Sequence, residues 1–511
     1  MSSIAVFSKK ILITGICIAF LFGCKHSNDE ELPKPAIKAG VAKIVGKVIN
    51  FDLKDGELLP VLSLSIRHPV TAEIAFYQAT LNEDGNFSFD IQVECSPLVG
   101  FIQSKIYVGG VCIVAGEKTY LEIFSDENNN TTVNMISSLD LTSEDMIILT
   151  EVASELAQQT TNSGEYTTNP EDYSKYTIER IEDIMMIINT NSKMSQKAKN
   201  LLTNSYKLYF LNEDLFGYTR RMNFNYRNSP DNKDKSVDEF VPQQQGRSYY
   251  SFLKFFDLNN PQYLYTDNYY MVLESILNND IFHISPIKDT PVKEWLKEVK
   301  AIIADLIGAD RGLFYDIIAA NAYAKQFKEE NKPLSDKQKE NISSYFKNRS
   351  FVDILFTESD KIIQRKEDHK SNSHVKINKT PDISKDKLME AIVSKYKGKV
   401  IIVDFWATWC GPCLAAIREM KSLKYEIKAN DVTFIYITGQ SSPVGIWEKI
   451  IDEIDGEHYY LTQEEWEFLL DSLDFSSIPS YFFYDSDGKL QNKISGFPGG
   501  KEFKEMINEM L

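Results

Sequence analysis

The stretch that most constrains this chain is Val403-Asp404-Phe405-Trp406-Ala407-Thr408-Trp409-Cys410-Gly411-Pro412-Cys413. Ile401 to Phe405 is apolar except for Asp404, the pattern of a strand covered on both faces. Gly411 and Pro412 then open a helix, with Leu414, Ala415, Ile417, Met420 and Leu423 recurring at helical spacing. This places Cys410 at a helix N-terminus, where unsatisfied N–H groups and the helix dipole favour an anion. A thiolate is such an anion, so Cys410 is expected to be the attacking sulfur and Cys413, one turn further in, the resolving one.

Half a zinc site is the competing reading of Cys-x-x-Cys. Zinc would need two more Cys or His ligands at suitable spacing. The next His downstream is His458, and no second Cys pair follows, so neither a metal nor another cofactor is expected. The motif in its context, Val-Asp-Phe-Trp-Ala followed by Trp-Cys-Gly-Pro-Cys, resembles the thioredoxin family. Ile478-Pro479 ahead of the apolar run Tyr481 to Tyr484 is similar to that family's cis-proline, which faces the active-site disulfide. The resemblance implies Cys410, Cys413, Asp404 and Pro479 as catalytic residues, with Asp404 as the base for Cys413. It also implies that Trp409, Gly411, Pro412, Ile478 and Gly496 border the surface where a partner docks. Cys413 and Pro479 are 66 positions apart, more than thioredoxin itself needs. The extra length resembles the membrane-anchored TlpA-like and ResA-like reductases.

A chain of 511 residues suggests about three domains. Its net charge of −17 argues against nucleic acid, which needs a basic face. The 26 Tyr and 30 Phe argue against extensive disorder.

Residues 1–23 read as a secretion signal. Lys9-Lys10 is a basic start, and the apolar run Ile11 to Phe22 falls short of the roughly 20 residues that span a bilayer. Leu21-Phe22-Gly23-Cys24 resembles a bacterial lipoprotein box, although Phe22 departs from the usual small or aliphatic choice. Lipid on Cys24 would hold the chain at a membrane. Residues 24–40, with the acidic run Asp29 to Glu31 and Pro33 and Pro35, read as a solvated tether, with a surface-export signal as the alternative.

Residues 41–135 read as a β-sandwich, from alternating runs such as Phe87 to Val93 and the turn Asn82 to Asn86. Its strand spacing resembles the β-domain that precedes the redox domain in many lipoprotein reductases. Cys95 and Cys112 fall here. They could be bridged, be free and buried, or serve as an internal redox pair. Residues 138–370 read as mainly helical, including 141–156, 177–188, 197–215 and 269–277, with Thr290-Pro291 opening one helix and Ser335 to Gln338 a capping box for another. Tyr249-Tyr250 and Tyr263 to Tyr270 read as core aromatics, or else as a binding surface. Residues 371–379, with His374 and, just before them, His369, read as a solvated linker.

The last part, 380–511, is expected to adopt the α/β thioredoxin fold. Ser384 and Thr462 are candidate helix caps. Gly-Pro between the cysteines is the dipeptide of thioredoxin, which sits near about −270 mV. The expected activity is therefore reduction of disulfides in extracytoplasmic proteins, with a membrane thiol donor as electron supply. The expected place is the envelope of a Gram-negative bacterium, on the periplasmic side or the outer-membrane surface. Alternatives are a disulfide oxidase or isomerase of secreted proteins, and a surface lipoprotein that binds through residues 41–370.

Overall fold

The computed structural model describes residues 32–511 apart from 50–59, 105–107, 126–130, most of 137–164, 233–239, 267, 372–373, 427–430 and 476. The signal, Cys24 and most of the expected 141–156 helix therefore lie outside the described residues.

Among the described residues eight strands come first: β1 (Ala36–Ile49), β2 (Val61–Arg67), β3 (Ile74–Thr80), β4 (Asn86–Ser96), β5 (Leu98–Gln103), β6 (Val108–Ile113), β7 (Lys118–Ser125) and β8 (Thr131–Ile136). They form two four-stranded sheets, ordered β4-β1-β7-β8 and β3-β2-β5-β6. Alternation does what it should: Phe87, Phe89, Ile91 and Val93 of β4 turn inward while the residues between them stay exposed. The expected tether begins to order earlier than the composition suggests. β1 starts at Ala36, Leu32 is buried, and Gln262 Nε2 and Tyr265 Oη donate to the Leu32 and Pro33 carbonyls at 3.1 and 2.9 Å. Prolines without N–H groups still offer carbonyls, so this run is pinned by side chains arriving from more than two hundred residues away.

Eight α-helices follow among the described residues: α1 (Pro170–Thr190), α2 (Gln196–Phe210), α3 (Tyr218–Asn228), α4 (Tyr269–Leu277), α5 (Val292–Ile307), α6 (Leu313–Glu330), α7 (Asp336–Tyr345) and α8 (Arg349–Ser371). The helix expected through residue 215 widens into a π-turn at Leu211–Phe216. Ser335 and Gln338 form the capping box that opens α7. Pro291 stands one place earlier than expected, at the cap of α5 rather than inside it. Tyr249, Tyr250, Tyr263, Tyr265 and Tyr269 are all buried, so they are core aromatics. Both N-terminal sheets and these helices share one continuous apolar cluster, so residues 32–362 have a single core where the sequence suggests two.

The remaining elements are β9 (Val375–Asn378), α9 (Lys385–Ser394), β10 (Val400–Phe405), α10 (Gly411–Glu426), β11 (Val432–Gly439), α11 (Val444–Ile451), β12 (Gly456–Leu461), α12 (Gln463–Ser472), β13 (Ser480–Tyr484), β14 (Leu490–Ser495) and α13 (Gly500–Asn508). Their sheet is ordered β14-β13-β10-β11-β12-β9, with β10 central and all six of its residues buried. Ile402, Trp406, Tyr436, Tyr481 and Phe483 join the apolar cluster that includes Cys413 and Met420 of α10 and Phe503 of α13. Ile401, Val403, Phe405 and Phe482 join the cluster of α9 and α12. Thr462 and Glu465 make the expected capping box, whereas Ser384 occupies the cap of α9 without a side-chain bond. The expected linker 371–379 is not a linker throughout: α8 runs to Ser371 and β9 adds an edge strand parallel to β12. Val375 is the buried residue of that strand and Ile377 is exposed, so four residues suffice.

Candidate functional site

β10 delivers the chain to the site. After Phe405, Trp406 N donates to Ile437 O at 3.0 Å, and the buried Trp406 fills the space below the loop. Thr408 N donates to Ser442 Oγ at 3.0 Å, and Ser442 Oγ is 2.8 Å from Thr438 Oγ1. Trp409 Nε1 donates to Ser441 Oγ at 3.2 Å, yet its ring is 64% exposed. These hydroxyls were missed in the sequence. The signal was a Ser-Ser-Pro turn directly after a β-branched strand, which reads as an ordinary loop until the register is known.

Cys410 precedes α10, and Cys413 lies inside its first turn. The two form a disulfide with Cα atoms 5.2 Å apart. Cys413 N donates toward Cys410 Sγ at 3.2 Å, the backbone contribution that would steady a thiolate there. Cys410 is 4% exposed and Cys413 fully buried, so the outer sulfur is the one a partner can reach. Gly411 and Pro412 between them are exposed. Ala415, expected on the apolar face of this helix, is exposed too.

The Ile478–Pro479 bond is cis, and Cys410 Sγ lies 3.7 Å from the Ile478 carbonyl oxygen. Gly496 N donates to Pro479 O at 2.8 Å. Gly496 has φ +82°, and a Cβ there would meet nothing within 4 Å, so backbone conformation is what calls for glycine. The sequence-named residues Trp409, Cys410, Gly411, Pro412, Cys413, Ile478, Pro479 and Gly496 thus gather from the β10–α10 loop and the two ends of the β13–β14 hairpin.

Asp404 lies on β10, 2% exposed, on the face that meets α10. Neither carboxylate oxygen has a hydrogen-bond partner. Burial pushes its carboxyl well above the ordinary range, opposed by the charge of Lys424. Burial in turn lowers Lys424 to about 8, with Asp455 and Asp404 opposing.

Cys95 and Cys112 do not belong to the site. They sit on β4 and β6, buried and unbridged. The possible disulfide between them is therefore not formed. Burial pushes the Cys95 thiol far up, which makes it a small apolar side chain rather than a nucleophile. Among the described residues no cluster of His, Cys, Asp and Glu could hold a metal ion, and no helix is long and apolar enough to cross a membrane.

The rim of the site opens onto a cavity of about 1620 Å³ between the three parts of the chain. Trp409 and Arg418 line one wall, and Phe76, Glu94, Glu358 and Lys361 line others. Burial lifts Glu94 to about 7 although Thr71 and the backbone of Val70 hydrogen-bond its carboxylate.

A cysteine pair at the start of a helix, beside a cis-proline that leads into the strand antiparallel to β10, defines a dithiol–disulfide site. Residues 389–511 match the family model described as a thioredoxin-like domain. The chain is 25% identical over 116 residues to the thiol-disulfide oxidoreductase ResA of Bacillus cereus, covering 23% of this chain and 64% of that protein. It is 24% identical over 104 residues to ResA of Bacillus subtilis, covering 20% and 57%. The chain thus spans less than two thirds of the length of these relatives. Among solved structures, a thiol:disulfide interchange protein from Chlorobium tepidum is 25% identical, with a TM-score of 0.20, covering 23% of this chain and 83% of that one. The thioredoxin domain of a Bacteroides vulgatus thiol-disulfide oxidoreductase is 21% identical, also with a TM-score of 0.20, covering 22% and 84%. The C-terminal part is a thioredoxin-like domain, and its named relatives are thiol-disulfide oxidoreductases.

Proposed function

We propose that this protein is a thiol–disulfide oxidoreductase that reduces disulfides of extracytoplasmic proteins. The observation that carries the reading is the Cys410–Cys413 pair at the head of α10, with Cys410 Sγ beside the carbonyl before cis-Pro479. In the reduced enzyme, Cys410 thiolate attacks one sulfur of a partner disulfide, and the partner's other sulfur leaves as thiolate. The partner backbone lies along Ile478 and Pro479, with Trp409, Gly411, Pro412 and Gly496 around it. Cys413, deprotonated with the help of Asp404, then attacks Cys410 Sγ and releases the second partner sulfur. Two electrons leave the enzyme, whose cysteines end as a disulfide. A membrane thiol donor restores the dithiol.

We also place the protein at the envelope of a Gram-negative bacterium, held by lipid on Cys24. The apolar run Ile11 to Phe22 followed by Gly23-Cys24 supports this. The N-terminal two thirds would then select partners, because they build about half of the lining of the cavity beside Trp409. The test is the reduction potential of Cys410–Cys413, equilibrated against a dithiothreitol series. A value near that of thioredoxin, about −270 mV, supports the reductase; a value near about −120 mV indicates disulfide formation instead.

A further inference from the structure

A row of polar side chains crosses the sheet beneath the disulfide. Asp404 stands opposite Tyr481 of β13 on one side and opposite Tyr436 of β11 on the other, and Tyr436 stands opposite His458 of β12. Residues paired on neighbouring strands project to the same face, and in the antiparallel pair Asp404–Tyr481 the Cβ atoms are about 4.5–5.5 Å apart. All four are at most 2% exposed. His458 Nε2 lies 2.8 Å from the Ile454 carbonyl oxygen. The other three differ: both carboxylate oxygens of Asp404 and the hydroxyls of Tyr436 and Tyr481 have no hydrogen-bond partner.

Filling space does not call for these hydroxyls. Phenylalanine would fill both tyrosine positions, and each buried unpartnered hydroxyl is destabilising. Two phenols offer two donors, and an ionised carboxylate only accepts. The three groups therefore match one another in the state where Asp404 has lost its proton. A cation completes the set. Lys424 of α10, with its ammonium 4.7 Å from the ring centroids of both Phe434 and Tyr436, donates to the Asp455 carbonyl and lines the cavity.

We propose that Tyr436 and Tyr481 are positioning residues for Asp404: their hydroxyls turn to donate to its carboxylate when it ionises, with Lys424 as the nearby positive charge, and so set the proton affinity of the base that serves Cys413. This rests on the exchange reaction proposed above. In the resolving step the Cys413 S–H proton passes to the Asp404 carboxylate. The Cys413 sulfur bonds to Cys410 Sγ, the bond from Cys410 to the partner breaks, and the partner leaves as a thiolate that takes a proton from solvent. The phenols lower the cost of holding Asp404 charged before that transfer. Burial and these partners pull in opposite directions: burial raises Asp404, and Lys424 lowers it. The groups that face the carboxyl are Tyr436 from β11, Tyr481 from β13, and Lys424 and Cys413 from α10, with Asp455 and His458 one step further along the row.

The test uses the full chain without residues 1–24, isotopically labelled at aspartate carboxyl carbons, with the Asp404 signal assigned by Asp404→Asn. Its titration is followed in Tyr436→Phe, Tyr481→Phe and Lys424→Gln. In parallel, a cysteine-containing decapeptide is loaded on Cys410 as a mixed disulfide and its release timed against pH. Each variant is expected to raise the Asp404 titration by about one pH unit and to slow release near neutrality about tenfold. The attack of Cys410 on a disulfide of the same peptide, measured in a Cys413→Ser background, should not change. Titration and release profiles identical to wild type in both Phe variants overturn the proposal and leave the phenols as packing. If wild type performs no exchange, the functional reading fails, but the carboxyl titration still decides this proposal by itself. Lys424→Gln, on a half-buried position, keeps the test available if a core tyrosine variant does not fold.

Discussion

Gly445 of α11 packs against the backbone of α6 at Phe327: a Cβ at position 445 would lie 2.1 Å from the Phe327 carbonyl oxygen and 3.0 Å from that of Lys328. Around this contact Asn331 hydrogen-bonds Glu448, and Lys449 pairs with Glu73 at the start of the β3 region. The thioredoxin-like domain is thereby held against both other parts. Gly445→Ala separates packing from propensity. In a free helix alanine is favoured by about 0.8–1.0 kcal/mol. Here the methyl group has no room, and a net loss of about 1–3 kcal/mol is expected. Urea unfolding measures it, and a gain in stability would mean that the helices do not approach this closely.

Asp404→Asn should stabilise the protein while impairing exchange. The carboxyl is raised by burial, so the native state keeps its proton at pH values where the unfolded chain, near about 3.9, has lost it. The native state then binds more protons, and stability falls as pH rises above that point. Asparagine carries no such slope. Unfolding midpoints followed upward from about pH 4 should show the variant gaining on wild type until the native carboxyl also ionises. Parallel curves would refute this.

His68 gives the opposite slope on the acid side. Burial, with Lys361 and Lys449 adding to it, lowers this imidazole from 6.5 to about 4. As pH falls through 6.5 the unfolded chain takes up a proton that the native state refuses until about 4, so stability is lost across that window. His68→Gln should flatten this part of the profile. Glu94, raised by burial to about 7, works against it, with stability lost as pH rises from 4.5 to 7. The two single variants should therefore change the pH dependence of the unfolding midpoint in opposite directions.

The oxidised protein without residues 1–24 should show two reactive thiols in denaturant and essentially none when folded, because Cys95 and Cys112 are buried and not joined in a disulfide. Two further thiols should appear after reduction, from Cys410 and Cys413. Thiol counting with a chromogenic disulfide measures both. Zero thiols in the denatured oxidised chain would restore the bridge between β4 and β6.

What the sequence made legible is what local rules encode. The apolar run at Ile401 to Phe405, Cys-x-x-Cys opening a helix, the Ile-Pro step before β13 and the capping boxes at Ser335 and Thr462 each depend on residues within a few positions. What escaped depends on register or on distant partners. Ser441 and Ser442 join the site only because β11 ends beside the β10–α10 loop. Tyr436 and Tyr481 read as ordinary strand aromatics until pairing sets both against Asp404. Pro33 looks like tether until Tyr265 reaches its carbonyl, and the shared core of the β and helical parts has no local signature at all.

The strand Val375–Asn378 bears on how this chain can be divided. It borders β12 and follows within a few residues of the end of α8, a helix rooted in the larger core. A cut at residue 380, where the composition invites one, would strip the outermost strand and leave the backbone of β12 as a bare edge, open to self-association. An excised redox module should therefore begin ahead of residue 374. Its sheet is completed by a segment that reads, by composition alone, as part of its neighbour.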